Sequence, residues 1–319
     1  FYGVKLDGYV TDSQHLEFTY FDSSREIDRT SLAFDPATKV IGQPVGGTTL
    51  RDGGESWVGR YTGQFTDWMT LSAAYGVSKD RNHQEALDPD TSYVVETRFG
   101  TVARVGPQTP VSNDIGDTER EFYRFDADFS FDLLGTHQLR FGLDNEQTTL
   151  EHVSARTGGS DYRLFRVTDS VSANTYGVPI GSDLARVTTV RLGGKVEGEN
   201  EAFYIQDSWD ITDRLNLQLG LRNDRFKLDN LIGENVLDLK DNWGPRVGFN
   251  YDVDGSGETR VYGSYGRYFI PPASNLSFRG ADLFVREYFD LVSFDAATGA
   301  VVLGDQRTNL NSNIVDDLG

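Results

Sequence analysis

The sequence predicts an all-β fold of antiparallel strands that cross a membrane as part of a barrel, and three observations carry that reading. Apolar and polar residues alternate with period two from end to end. Short connections rich in Asp, Thr, Gly and Ser take turns with long ones. The row opposite each apolar row is charged, where a packed soluble barrel would keep it apolar.

Composition sets the bounds. The chain has 319 residues and a formal net charge of -19, with 38% hydrophobic and 12% aromatic residues. That aromatic content argues against a disordered acidic chain. With 34 Gly and 9 Pro, many turns are favoured over long helices. No stretch approaches the roughly 18 consecutive apolar residues of a transmembrane helix, which says nothing against barrel strands, whose apolar residues fall at every second position. Cysteine is absent, so disulfides and thiolate metal sites are impossible. The acidic balance excludes nucleic acid as an expected partner. Phe1 opens the sequence without a signal-peptide pattern.

Five hairpins follow in order. "GVKLDGYV" turns through "TDSQ" into "HLEFTYFDSSRE", where Leu16, Phe18 and Tyr20 alternate with polar residues. "SWVGRYTGQF" meets "MTLSAAYGVSK" across "TDW", with Met69, Leu71, Ala73, Tyr75 and Val77 on one face. "EFYRFDADFSF" meets "HQLRFGLDNEQ" across "DLLGT". "FYIQDSW" meets "RLNLQLGLRND" across "DITD", and "WGPRVGFNYDV" meets "TRVYGSYGRYFI" across "DGSGE". These make about ten strands, most near the ~9–11 residues a tilted strand needs to span a bilayer.

Turns inside each hairpin take roughly three to six residues. The spans 26–54, 79–117 and 148–198 between hairpins are much longer, and the connection after Lys227 is shorter. Short turns on one side and long loops on the other are the arrangement of outer-membrane barrels. The faces agree. Tyr123, Phe125, Phe129 and Phe131 lie opposite Arg124, Asp126, Asp128 and Ser130, and Leu215, Leu217, Leu219 and Leu221 lie opposite Asn216, Gln218, Gly220 and Arg222. The apolar rows are expected to face lipid and the polar rows a wet lumen. Aromatics near strand ends (Trp57, Phe65, Trp209, Trp243, Tyr268 and Phe269) fit interfacial girdles. Strands are aromatic-rich in any protein, so the charged opposite face decides.

Little in the sequence carries chemistry. His15, His83, His137 and His152 have no metal-ligand spacing, and His15 and His137 should sit at the periplasmic rim. No G-x-S-x-G elbow is present, and the chain is not expected to be an enzyme or to hold a metal or cofactor. "DVDGSGE" (252–258) starts like a calcium loop, but position 12 from Asp252 is Gly263 and strands flank it, so it reads as a hairpin turn. "GSYGRYF" (263–269) precedes no helix and is not a phosphate cradle. Arg267 shares a face with Gly263 and Tyr265; an arginine in mid-bilayer costs about 2–4 kcal/mol, so that face is expected to be lumenal. Arg60, Asp126, Asp128, Arg140, Asp144, Arg222, Asp224 and Arg246 should line the interior, either touching a passing substrate or pairing with one another, a plug or water. In the outer segment 271–295, Asn275, Arg279, Arg286 and Tyr288, with Phe278, Phe284 and Phe289, have the residue types to hold a sugar or peptide. The competing reading is a loop that packs on itself.

"AFYIQDSWDITDRLNLQLGLRND", "DNWGPRVGFNYD" and "TRVYGSYGRYF" in succession resemble the barrel of TonB-dependent outer-membrane receptors, in particular the Oar-like subgroup. "PPASNLSFRGADLFVREYFDL" resembles that subgroup's next extracellular segment, and "LDGYVTDSQHLEFTYFDSSRE" one of its mid-barrel hairpins. The resemblance is specific over 200–290, looser over 1–25, 55–80 and 118–147, and absent in the long loops. It implies a 22-strand barrel in the outer membrane of a Gram-negative bacterium, an N-terminal plug, and energy from the TonB system. The sequence shows no plug, no TonB box and no closing strand after "NSNIVDDLG". All of 1–319 is therefore expected to be part of a receptor barrel, lipid-embedded and completed from outside this stretch, rather than a barrel closed by other chains or on itself. The expected function is uptake of a bulky nutrient. The alternative is a structural or surface-scaffold barrel that binds a partner protein and transports nothing.

Overall fold

A computed structural model describes residues 1–35, 38–108, 110–273 and 283–309. The strands are β1 (Tyr2–Thr11), β2 (Gln14–Asp22), β3 (Arg25–Asp35), β4 (Val40–Gly53), β5 (Glu55–Thr66), β6 (Met69–Ala86), β7 (Val94–Glu96), β8 (Ala103–Val105) and β9 (Ser112–Asp132). They continue as β10 (Thr136–Arg156), β11 (Asp161–Arg166), β12 (Asp183–Thr212), β13 (Leu215–Asp229), β14 (Asn235–Asp252), β15 (Arg260–Gly266), β16 (Leu283–Phe294) and β17 (Val301–Asn309). One short helix, α1 (Ser170–Tyr176), precedes β12.

Ten of these form an antiparallel wall in the order β1–β2–β5–β6–β9–β10–β12–β13–β14–β15. They are the ten strands that the alternation marks. The outward row is apolar and exposed, with Tyr123 55%, Leu143 55% and Leu219 40% accessible in a strongly acidic chain. An apolar surface this continuous is a lipid surface. Among the described residues β1 pairs only with β2 and β15 only with β14, so the wall has two open edges and is part of a barrel.

The long connections differ from expectation. They are largely sheet: β3 and β4 pair within 26–54, β6 runs on to Ala86, β10 to Arg156, and β12 starts at Asp183. At ~3.3 Å per residue the 30 residues of β12 reach roughly 100 Å, about three times the hydrocarbon thickness. The reason is backbone pairing, because a ladder extended beyond the bilayer satisfies N–H and C=O groups that a loop of that length leaves to water. Above the bilayer β12 bends at Gly193 (φ 135°) and Gly194 (φ 157°), and a Cβ at Gly193 would overlap the His152 carbonyl across the ladder.

The extensions carry a cap with its own small cores. Val94, Leu164 and Ala185 are fully buried under Tyr162, Leu291, Phe294 and Val301, while Val167, Val178 and Leu184 pack under α1. Arg98 donates to Glu96 (2.6 Å) and lies 3.3 Å from Asp183, which also takes Arg166 at 2.6 Å. The Arg166 hydrogen bonds outweigh partial burial and hold the Asp183 carboxyl below its usual range. Because the folded pKa is depressed, Asp183 stabilises the cap above the unfolded value near ~3.9, and this is lost as pH falls through the folded value. Amide exchange in 94–98 and 161–166 should therefore accelerate below about pH 4 relative to the wall. Unchanged protection there would show that the pairing contributes nothing.

At the short-turn end, both Asp252 carboxylate oxygens accept backbone N–H bonds, from Gly255 (2.9 Å) and Gly257 (2.8 Å), and Gly255 sits at φ 78°. This carboxylate closes the turn, as the turn reading of "DVDGSGE" requires. His137 lies at the same end, 2.7 Å from Asp207 and stacked between Phe131 and Trp209. Trypsin added to intact cells should cut after exposed Lys39 in the β3–β4 turn and spare Arg214 in the β12–β13 turn. Cleavage at Arg214 alone would invert the topology.

Candidate functional site

The lumenal row is a grid fixed by register. Asp128, Arg140, Gln206, Gly220, Arg246 and Gly266 face one another across β9 to β15 in one cross-strand row. In the next row stand Asp126, Gly142, Tyr204, Arg222 and Gly244, and in the third Arg124, Asp144, Ala202, Asp224 and Asn242. Side chains in such rows lie ~4.5–5.5 Å apart at Cβ, so opposite charges meet without further design.

Tyr204 organises the centre. Gly142 has no side chain, and the Tyr204 ring crosses that gap so that its hydroxyl donates to Asp126. Arg124 donates to the Tyr204 oxygen (2.5 Å) and its Nε to Asp126 (3.0 Å). The guanidiniums of Arg124 and Arg222 lie 5.5 and 5.6 Å from the Tyr204 ring centre. Arg222 also donates to Asp224 (2.8 Å) and Asp144 (3.3 Å), and Arg140 to Asp128 (2.5 Å). Asp126 and Asp224 are 8% exposed and fully engaged.

Two guanidiniums stand apart. Arg60 lines a recess with Thr62, Ser72, Arg124 and Asp126, and Arg246 lies over the Tyr268 ring at 4.5 Å with its Nε buried and without a hydrogen-bond partner among the described residues. Neither makes an ion pair among the described residues. Arg246, Gln138, Gln206, Gln218, Ser264 and Tyr268 border a recess of about 500 Å³. The wall therefore combines a self-neutralised centre with cationic and amide donors open to the lumen. Such a face can make reversible polar contacts.

Arg60, Asp126, Asp128, Arg140, Arg222 and Arg246 are thus brought together on one wall. Arg267 is not among them. Its face-mates Gly263 and Tyr265 pair with Phe249 and Val247 on the outward side, β15 ends at Gly266, and Arg267 stacks over Phe269 at 4.6 Å. The lumenal expectation fails because the face of Gly263 and Tyr265 is the outward one, and the Arg267 N–H continues that pairing to the Pro245 carbonyl. Asn275 and Arg279 lie outside the described residues. Arg286 and Tyr288 stand on β16, which pairs with β12 in the cap rather than looping freely. Tyr288 is 8% exposed, with its ring against Phe165 and Tyr176, and is a buried cap residue, not an open stacking surface. Tyr204 is the site residue that the sequence reading passed over, while Arg124 stood on the lumenal row with Asp126 and Asp128 without being singled out. Phe203 and Ile205 on the lipid side were the available signal for Tyr204.

A model of the family described as "TonB dependent receptor-like, beta-barrel" matches residues 3–312. The TonB-dependent transporter Oar of Myxococcus xanthus is 32% identical over 157 residues, 47% of this chain and 15% of that protein. Among solved structures, the outer membrane transporter YddB from Escherichia coli superposes with a TM-score of 0.56 at 14% identity, over 91% of this chain and 37% of that one. P. aeruginosa FpvA, solved bound to an iron–pyoverdine complex, gives 0.52 at 14% identity over 89% and 37%. The siderophore receptor PiuA from Acinetobacter baumannii gives 0.50 at 13% over 91% and 47%. The chain spans less than half the length of each of these relatives.

Proposed function

This chain belongs to the TonB dependent receptor-like β-barrel family, and from that premise we propose that it is the mid-barrel portion of an outer-membrane importer of a bulky nutrient. The observation that carries the proposal is the lumenal wall: a continuous polar face, internally neutralised, with Arg60 and Arg246 left over to contact something that occupies the lumen. The occupant is a plug domain at rest and the nutrient in passage. No covalent step is involved. The cap meets the ligand, the wall guides it, and force from the TonB system moves the plug.

The scaffold reading has one observation of its own. The β3–β4 hairpin exposes Leu32, Phe34, Val40 and Ile41, an apolar tip far from the lipid belt and open to a partner protein at the surface. Growth separates the two. Strains lacking the native polypeptide or lacking TonB are compared on siderophore, oligosaccharide and oligopeptide sources. An importer loses the same source in both strains. A scaffold leaves growth intact in the first strain and loses surface association of its partner.

A further inference from the structure

We propose that a recess on the lipid-facing side of the wall, centred on Asn223, holds the acylated sugar end of an outer-leaflet glycolipid. An acyl carbonyl accepts from the Asn223 amide, and the chain lies on Leu143 and Phe203. Register builds the recess from two outward rows. The lower row runs Phe125, Leu143, Phe203, Asn223 and Trp243 across β9, β10, β12, β13 and β14. The row above it runs Tyr123, Asn145, Glu201 and Arg225. Together they border a space of about 350 Å³, apolar below and polar above. At ~3.3 Å per residue and a tilt of roughly 40°, Asn223 stands about 20 Å above the start of β13, near the top of an apolar band roughly 25 Å tall. That is the level at which acyl chains join their headgroups, on the side of the bilayer that carries the cap.

Asn223 is the polar member of an otherwise apolar row. The rings of Phe203 and Trp243 meet edge to face across it (5.5 Å), and its amide nitrogen is buried with no hydrogen-bond partner among the described residues. Buried donors are almost always satisfied, and the hydrocarbon offers no water to satisfy this one. The acceptor therefore arrives from the lipid side. The rim sets its charge. Arg225 donates to Asp238 (2.8 Å) and Glu201 (3.4 Å), Lys227 lies 2.6 Å from Glu199, and Lys240 lies 3.0 Å from Asp238. All three cations are held by carboxylates, so a phosphate brought to this rim would meet Glu199 and Glu201 with no free cation to receive it. An uncharged carbonyl suits Asn223. Sugar hydroxyls suit Glu201, whose half-exposed carboxylate keeps acceptor capacity beyond its contacts with Arg225 and Lys227. A phospholipid places its phosphate at this level, whereas an acylated sugar places hydroxyls there.

The site rests on the lipid-facing side of the wall and not on import, so it stands apart from the growth experiment. The full native polypeptide is delipidated in detergent and followed by native mass spectrometry with added deep-rough lipopolysaccharide, dephosphorylated lipid A or phosphatidylethanolamine. Lipopolysaccharide should be retained saturably, and dephosphorylated lipid A about as tightly. Phosphatidylethanolamine should be held about tenfold or more weakly, its phosphate facing Glu199 and Glu201. Asn223→Leu should weaken lipopolysaccharide retention about fivefold, the size of one neutral hydrogen bond. It should also leave the lipid-free Tm equal or higher, because it removes an unsatisfied donor. Leu143→Trp, which fills the recess, should abolish retention, and Val247→Ala, elsewhere on the lipid face, should leave it unchanged. No retention, or equal retention of lipopolysaccharide and phosphatidylethanolamine, overturns the proposal. So does retention that requires the phosphates or that survives both Asn223→Leu and Leu143→Trp. A lower lipid-free Tm in Asn223→Leu would show the amide satisfied by the rings above it, which also overturns the proposal. Dimers dispersed by Leu143→Trp would assign the face to a second copy instead.

Discussion

Leu219→Arg should keep the native polypeptide from assembling in the outer membrane, while Gln218→Arg should assemble normally. The two residues are neighbours on β13 and differ only in face. Leu219 pairs with Asp207 and Val247 on the outward side, and Gln218 with Ser208 and Gly248 on the lumen side. Leu219 is four residues up from the turn that starts β13, well inside the apolar belt formed with Ile205 and Phe249. Arginine on the lipid face costs about 2–4 kcal/mol near the midplane, a factor of roughly 30 to 900 in the folding equilibrium and a large fraction of a membrane barrel's margin. At position 218 the guanidinium would enter a wet recess already lined by glutamines and serines. Heat-modifiable migration of membrane fractions on gels reports assembly directly. Equal loss in both variants would mean that the assigned faces are wrong.

That experiment probes the part of the structure most legible in the sequence. Period two alone placed the ten wall strands, because each lies between lipid and water and every second side chain must match one of the two. The cap was not legible, for the same physical reason. Above the bilayer both faces of β6, β10 and β12 meet water or one another, so Thr149–Glu151 or Lys195–Glu199 need not alternate, and the signal fades where the strands continue. Glycine compounds this: Gly193 and Gly194 read as a loop, yet they are a bend within one 30-residue strand. Among site residues, the lumenal charges followed from alternation, but their pairing did not. Which arginine is left over depends on lateral reach along rows, which spacing in one strand does not encode. Arg267 was misplaced because the cost of a charge in lipid, not the alternation, assigned the face it shares with Gly263 and Tyr265 to the lumen.

The centre of the wall offers the other large effect. Gly142→Leu should destabilise the native polypeptide by about 2–6 kcal/mol, more than its chemistry suggests for a residue in a wet lumen. A side chain at 142 would occupy the space of the Tyr204 ring, which crosses the glycine to reach Asp126. Two costs then combine: overpacking, about 1–3 kcal/mol, and loss of the hydroxyl donor to a nearly buried carboxylate, about 1–3 kcal/mol. Arg124 and Arg222 lose their shared ring at the same time. Because both costs run through one ring, the substitutions must not add. In a Tyr204→Ala background the leucine fills the vacated space, so Gly142→Leu should cost no more than about 1 kcal/mol there. Urea midpoints of the four proteins refolded into lipid vesicles give the coupling. Additive midpoints would show that Tyr204 merely lies beside Gly142. Strong coupling would show that the glycine exists to let the tyrosine cross, and that the neutral, braced centre of the wall is what leaves Arg60 and Arg246 as its open cations.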